Sequence, residues 1–368
     1  MTIALNDLAR HHAPLRAELD AAIARVNDRG HYILGPEVES FEREFAAYCG
    51  AAACVAVGNG TDALELALRA LGIGAGDEVA TVANAGGYAT TAIRGAGATP
   101  VYVDIDDATL GIDCHSLAER ITPGTRAIVA THLYGRMADV EALARIARER
   151  AVPLVEDCAQ AHGATRAGKK AGTFGAVACY SFYPTKNLGA LGDAGALVTG
   201  DTALAARVAE LRTYGWRGKY RVATGGGMNS RMDEVQAAAL RVKLPRLDAW
   251  NARRREIGQR YGASIANPAI ALPPAPDATD VVHLYVVRAK ARDALRVHLA
   301  EAGVATDVHY PVPDHRQAGW SGAASPSLLR TERACDEVLT LPCYPELTEA
   351  EIAAVAAACN SWRPATRS

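Results

Sequence analysis

Apolar residues recur along the chain with two periods that take turns. Short apolar runs at Cys54-Val55-Ala56-Val57, 100–104, 127–130, 152–155, 176–180 and 196–199 read as buried strands. Between and around them the spacing predicts helices over 13–26, 36–48, from Thr61 through Leu71, and over 115–120, 139–150, 203–212, 233–242 and 244–261. In the segment 36–48, Val38, Phe41, Phe45 and Ala46 fall on one helical face. Strands that alternate with helices at this spacing imply an α/β protein with a mainly parallel sheet sandwiched by helices. After the long helical connector the pattern restarts, with an alternating strand over 281–287 and a helix over 292–302. This is a second, smaller α/β unit, and a chain of 368 residues exceeds one ordinary core. The division expected is 1–30 as an N-terminal arm, 31–245 as the large domain and 246–368 as the small C-terminal domain.

Bulk properties narrow the classes of partner. With 49% hydrophobic residues and a net charge of -2, the chain has globular composition and gives no electrostatic reason to expect nucleic acid. The arginines Arg253, Arg254, Arg255 and Arg260 read as an exposed helical face. Cysteines stand at Cys49, Cys54, Cys114, Cys158, Cys179, Cys335, Cys343 and Cys359 without a CxxC pair, so neither zinc nor thioredoxin chemistry is indicated. Several lie in apolar runs, where a thiol packs as a small core residue. No metal site is expected. No window approaches a membrane span, and Met1–His12 lacks the apolar stretch of a signal peptide, which points to the cytoplasm.

The densest chemistry lies between Asp157 and Gly195. An apolar run ends in Glu156-Asp157, followed by Gln160 and His162, and a second run delivers Ser181-Phe182-Tyr183-Pro184-Thr185-Lys186-Asn187-Leu188-Gly189. A carboxylate at one strand end and a lysine in a glycine-flanked loop after the next suit pyridoxal phosphate. That cofactor needs a lysine to hold its aldehyde as a Schiff base and an acid to keep its pyridine nitrogen protonated. Ser181 is placed to donate a hydroxyl to a phosphate. Gly58-Asn59-Gly60-Thr61-Asp62 at a helix start is an ordinary cap or a phosphate cradle, and beside Lys186 and Ser181 the cradle is favoured. Gly72, Gly74 and Gly76 follow a helix instead of a strand, so they stop that helix and do not form a nicotinamide-binding turn.

The runs Glu156-Asp157-Cys158-Ala159-Gln160-Ala161-His162-Gly163-Ala164, Ser181 to Ala194, and Asn229-Ser230-Arg231-Met232-Asp233-Glu234-Val235-Gln236 resemble the signatures of the DegT/DnrJ/EryC1/StrS sugar aminotransferases, of the aspartate aminotransferase fold (fold type I). Spacing alone does not name the cofactor; the resemblance does, and it extends from about Leu34 to about Trp250, more weakly beyond. It implies a fold-type-I pyridoxal-phosphate enzyme with a seven-stranded type of sheet and an N-terminal arm packed near the small domain. Lys186 would bind the cofactor and move the proton, and Asp157 would face the ring nitrogen. Gln160 would contact the ring face or its 3′-oxygen, and Gly60, Thr61 and Ser181 would hold the phosphate. Asn229 would reach across a homodimer interface to the partner's phosphate, so the active sites would be shared.

The family's Pro-Ser-x-Thr-aromatic segment is replaced here by Asn84-Ala85-Gly86-Gly87-Tyr88-Ala89-Thr90-Thr91. Tyr88, taken to lie at a strand end, is the available aromatic to stack on the ring, and the glycine pair is expected to leave extra room. Arg136-Met137 stands where the family has Gln-Pro after His132-Leu133-Tyr134-Gly135, and His132 reads as a structural histidine. Lys219 and Tyr220, in a basic and aromatic loop, with Tyr183, His309 and His315, are the candidate contacts to the sugar nucleotide. The expected reaction moves an amino group, by family analogy from L-glutamate, through a pyridoxamine phosphate form to a nucleotide-linked keto-deoxysugar. The run from Lys219 to Leu244 resembles family members acting at C3 more than those acting at C4, which implies amination at C3. A dehydratase of the same fold would carry histidine in place of Lys186, and a regulator would need a DNA-binding element that the chain does not display.

Overall fold

A computed structural model describes residues 2–320 and 327–364. Its centre is a seven-stranded sheet built from β1 (Ala53–Val57), β2 (Glu78–Val82), β3 (Thr99–Val103), β4 (Thr125–Thr131), β5 (Leu154–Asp157), β8 (Val177–Ser181) and β9 (Gly195–Thr199). The short strands β6 (Thr165–Arg166) and β7 (Lys169–Lys170) form a separate hairpin between β5 and β8. In the sheet the order is β1-β9-β8-β5-β4-β2-β3, and every pairing is parallel except those that β9 makes with β1 and β8. Parallel strands buried on both faces need unbroken apolar runs, and β4, β5, β8 and β9 are buried along almost their whole length. The expected α/β architecture is the one observed.

The helix Pro36–Cys49 shows why one face of this sheet is firm. Its Phe41 and Phe45 pack edge-on against Phe182 at 5.3 and 5.2 Å, and Phe45 meets Tyr180 at 5.0 Å. All four rings are buried, each contributing about 1.5–3 kcal/mol by area, and they wedge the C-terminal end of β8 in place. The start of this helix is held by Glu234, whose carboxylate accepts the N–H groups of Gly35, Glu37 and Val38 at 2.9, 3.0 and 2.8 Å. Those are the donors a helix cannot satisfy internally.

The C-terminal part pairs β10 (Tyr285–Arg288) with β11 (Val338–Leu341) and covers them with the helices Arg292–Glu301 and Glu349–Ser361. A hydrophobic cluster of its own includes Ile257, Tyr261, Leu295, Leu339 and Val355. The N-terminal segment touches both parts. Ile3 bridges to Val304, and Arg10 pairs with Glu351, while the helix Arg16–Arg29 lays Leu19, Ala22 and Val26 on Ala238 and Ala239. Among the described residues no helix is long and apolar enough to cross a membrane.

Two expectations change. Tyr88 opens the helix Tyr88–Gly95, capped by Gly87, and does not end a strand. The connector is a short 3-10 turn, Leu244–Arg246, running into the helix Leu247–Ser264, and its arginines are not all exposed. Arg254 is 5% exposed, turned inward by its place on the face that carries Ile257, Gly258 and Tyr261.

Candidate active site

The strand ends β4, β5 and β8 open onto a cavity of about 800 Å³. Ligand sites at the carboxyl ends of parallel strands are the rule in open α/β sheets. Of the candidate residues, Gly60, Thr61, Tyr88, Asp157, Gln160, Ser181, Tyr183, Lys186 and His309 line this one cavity.

Lys186 rises from the loop after β8. The loop turns back on itself through Lys186 N–H to Tyr183 O at 2.8 Å and Ala190 N–H to Phe182 O at 2.7 Å. Gly189 is required there, because a Cβ would fall 2.2 Å from Pro184 O. Lys243, itself buried, donates to Gly189 O at 2.7 Å and clamps the loop from behind. Burial pushes the Lys186 ammonium down to about 8, with Asp157 opposing the shift. Asp157 is 5% exposed at the end of β5, where it accepts from Ala159 N–H at 3.1 Å and Thr131 Oγ1–H at 3.3 Å. Desolvation raises its pKa while Ala159 and Lys186 hold it back. A buried acid beside a near-neutral amine suits a ligand that brings its own ring cation.

Opposite, Asn59 caps the helix Gly60–Ala70 by accepting from Asp62 N–H at 2.9 Å, so the amides of Gly60 and Thr61 stay at an open helix end on the cavity wall. Gly60 lies so close to Ser181 that a Cβ would meet the serine Cβ at 2.6 Å, and a Cβ on Gly195 would strike Asn59 O at 2.3 Å. The three segments therefore close into a cradle that only glycine permits. Amide donors at a helix end, a serine hydroxyl, a buried lysine and a buried acid fit pyridoxal phosphate as a set.

Gln160 uses both ends of its amide: Oε1 accepts from Tyr134 N–H at 2.6 Å, and Nε2 donates to Tyr310 Oη at 3.1 Å. His309 sets Nδ1 2.8 Å from Thr340 Oγ1, and its carbonyl accepts from Tyr134 Oη–H. The space over the glycine pair is taken, which corrects the expectation of extra room. A Cβ on Gly86 would meet the Tyr310 ring at 2.8 Å, and one on Gly87 would meet Trp320 at 2.6 Å. Tyr310 also meets Tyr88 edge-on at 6.1 Å.

Four candidates lie outside the cavity. His315 is buried, with Nε2 2.9 Å from Glu332, because the segment carrying it is tied inward by Asp314, which accepts from Thr90 Oγ1–H at 2.6 Å. Its ring packs against Tyr102 at 6.1 Å, and it is not among the residues that line the cavity. Lys219 and Tyr220 are exposed on a loop where Tyr214, Trp216 and Tyr220 stack in sequence. Asn229 is exposed beside Thr213.

His132, Glu156 and Cys158 bring ligand-type atoms within 4.8 Å of one another. Glu156 is already engaged: it accepts from His132 Nε2 at 3.0 Å and from the amides of Gly172, Phe174 and Gly175 at 2.8, 2.7 and 2.6 Å. His132 Nδ1 accepts from Ala138 N–H at 3.1 Å, which fixes the proton on Nε2. Glu156 thereby ties the end of β5 to His132 and to the amides of Gly172, Phe174 and Gly175.

Residues missed in the sequence also line the cavity, including Arg254, His283, Tyr310 and Asn6. Tyr310 directly follows the candidate His309 and could have been named with it; Arg254 stood in a row of arginines that reads as solvated, and His283 in an alternating strand that reads as packing.

Comparison with known proteins agrees with this geometry. The model of the DegT/DnrJ/EryC1/StrS aminotransferase family matches residues 14–360. The chain belongs to this family. It is 48% identical over 360 residues, 97% of this chain and 95% of the relative, to the dTDP-3-amino-3,4,6-trideoxy-alpha-D-glucose transaminase of Streptomyces venezuelae. It is 46% identical over 357 residues, 97% and 98% of the two chains, to the dTDP-3-amino-3,6-dideoxy-alpha-D-galactopyranose transaminase of Aneurinibacillus thermoaerophilus. Among solved structures, S. venezuelae DesV in complex with a ketimine intermediate superposes with a TM-score of 0.95 at 47% identity, covering 98% of each chain. NtdA from Bacillus subtilis with bound cofactor PMP gives 0.91 at 31% identity, over 97% of this chain and 84% of NtdA. The protein is an aminotransferase of fold type I, and its cofactor is pyridoxal 5′-phosphate, with pyridoxamine 5′-phosphate as the other form.

Proposed function

We propose that this protein transfers an amino group from L-glutamate to C3 of a dTDP-linked 3-keto-6-deoxyhexose. The observation that carries the reading is the convergence of Lys186, Asp157 and the Gly60–Thr61–Ser181 cradle on one cavity. The C3 position is supported by the two transaminases of 3-amino sugars to which the chain is 48% and 46% identical.

When bound, the cofactor supplies an electron sink for the carbanion formed at the carbon that loses or gains the amino group. Lys186 takes and returns the proton at Nζ. It can do so because burial, which holds it near 8, leaves a useful neutral fraction at physiological pH. Asp157 would face the ring nitrogen and its charge would keep that nitrogen protonated. Gly60 N–H, Thr61 and Ser181 would hold the phosphate end, joined by Asn229 of the partner subunit. Tyr88 would stack on the cofactor ring, and Gln160 would contact the ring face or its 3′-oxygen. Tyr183 and His309 face the sugar, and Lys219 and Tyr220, exposed on their loop, reach the nucleotide.

The active unit in this reading is a homodimer with shared sites, working in the cytoplasm. Its support is the exposure of Asn229, Lys219 and Tyr220, which a second chain can use. The division into an arm (1–30), a large domain (31–245) and a small domain (246–368) belongs to the same reading, supported by the separate C-terminal hydrophobic cluster. The test is turnover with ¹⁵N-labelled L-glutamate and an equilibrating mixture of 3-keto and 4-keto dTDP-sugars. Label found on C3 by NMR supports the proposal, and label on C4 overturns the regiochemistry.

A further inference from the structure

Behind the cavity wall, the residue that follows Lys186 is tied into a buried chain of polar side chains that the reading above leaves unused. Asn187 is 2% exposed and does not line the cavity, so any effect it has on the chemistry there is indirect. Its Nδ2 donates to Val281 O at 3.0 Å and to Asn251 Oδ1 at 2.9 Å. A carbonyl only accepts, which fixes the orientation of the amide and leaves Oδ1 facing His283 Nδ1 at 3.0 Å. That ring nitrogen therefore carries the proton, and burial, with Lys186 and Arg254 adding to it, keeps the imidazole neutral. Asn251, also buried, continues the chain. Its Nδ2 donates to His162 O at 2.7 Å, and His162 Nε2 donates to Ser181 O at 2.9 Å.

Each link joins a different segment. Asn187 belongs to the lysine loop, His283 to the stretch entering β10, Asn251 to the helix Leu247–Ser264, and His162 to the turn after Asp157. Both N–H groups of the Asn187 amide are used, and removing any partner leaves a buried polar group unpaired, so the links reinforce one another. Lys186 is thus held from both sides. Its own N–H goes to Tyr183 O at 2.8 Å, and the residue after it is anchored through the Asn187 side chain. Nζ sits at the end of a flexible aliphatic stem, so where it can meet a reacting carbon depends on how firmly the backbone beneath it is fixed.

We propose that Asn187 is a positioning residue for Lys186, held in that task by Asn251 and His283, an inference that rests on the aminotransferase reading of this cavity. It sets the backbone from which Nζ takes and returns its proton. Displacing a reacting group by about 1 Å costs on the order of 10²-fold in rate without the loss of any contact to substrate.

The test uses the holoenzyme and follows its bleaching by L-glutamate in stopped flow. Asn187→Leu keeps the volume and removes the amide. It should slow bleaching about tenfold to hundredfold and raise the isotope effect with α-deuterated L-glutamate, while half-saturation by glutamate stays within about twofold. In cofactor-free protein the midpoint of Lys186 labelling should rise from about 8 toward the ordinary 10.5, as a loosened loop admits water to the amine. His283→Leu, which removes the Nδ1 donor, should reproduce the slowing, and His283→Asn, whose amide donates from the same place, should recover part of it. A lower denaturation midpoint with bleaching rate, isotope effect and Lys186 midpoint all unchanged would show a merely structural role and overturn the proposal. A loss confined to glutamate half-saturation would overturn it as well. Should Asn187→Leu fail to fold, the two His283 variants decide: slowing by Leu with recovery by Asn supports the assignment, and equal rates in the two contradict it. If L-glutamate bleaches the wild type and the variants alike, this inference alone fails. If no amino donor bleaches the wild type, the aminotransferase reading fails and this inference with it.

Discussion

At the scale of the residue, burial of Lys186 has a titration consequence. Its folded pKa, about 8, lies below the ordinary lysine value of 10.5, so the neutral amine dominates from about pH 8 upward. In cofactor-free protein, labelling of Lys186 by a small amine-reactive reagent should therefore be half-maximal near pH 8 and reach its plateau by about pH 10. A profile centred near 10.5 would contradict the buried placement. The linkage sign follows. Between about 8 and 10.5 the unfolded chain holds a proton here that the folded chain does not, so this lysine's contribution to stability rises with pH across that window and is lost as pH falls through 8. Lys243, also lowered to about 8 by burial, adds in the same direction, so the labelling readout must be resolved by peptide. Asp157 carries a different expectation. Asp157→Asn keeps the shape and removes the charge, and should slow the glutamate half-reaction by about 10²-fold or more while the cofactor stays bound. Stopped-flow absorbance measures this, and an unchanged rate would remove Asp157 from its assigned role. Lys186, Asp157 and Ser181 were legible because each ends or follows an apolar run. Arg254 was not, since burial of one arginine among several depends on which helix face the C-terminal part covers, and the helix is too polar overall to show it.

At the scale of the element, most strands and helices were visible as apolar periods, and their ends moved by a few residues. The strand Glu78–Val82 and the helix Tyr88–Gly95 were not named, because Asn84 to Gly87 between them looks like a loop and breaks the family's pattern. The physical account of that break is contact: Gly86 and Gly87 stand at φ of 78° and 83° beneath Tyr310 and Trp320. Gly86→Ala should lower the unfolding free energy by about 1–3 kcal/mol, from positive-φ strain plus overpacking on Tyr310, read as a drop in chemical-denaturation midpoint. No change would show that the two segments do not pack as described. A second element rests on one carboxylate. Glu234→Ala leaves three amides at the start of the helix Pro36–Cys49 without their acceptor and should cost about 1–3 kcal/mol in the same measurement.

At the scale of the whole molecule, the arm, the sheet and the C-terminal cluster meet around one cavity, to which Leu5 and Asn6 from the arm and Thr340 and Cys343 from the C-terminal part all contribute. The parallel sheet and the family could be read in the sequence. The assembly of the cavity could not, because it joins residues more than 300 positions apart, such as Asn6 and Tyr310. The shared-site reading has its own test. Mixed dimers of Lys186→Ala and Asn229→Asp chains, each nearly inactive alone, should regain activity, since one site in each mixed dimer pairs an intact Lys186 with an intact Asn229. Absence of rescue would mean that Asn229 does not serve the partner's site.

The most direct measurement follows the colour of the bound cofactor through separate half-reactions. L-Glutamate should bleach the yellow holoenzyme; after removal of the donor, a 3-keto dTDP-sugar should restore the colour and a 4-keto sugar should not. Recovery with the 4-keto sugar alone would contradict the C3 assignment, and a protein that neither binds the cofactor nor bleaches with any amino donor would contradict the account as a whole.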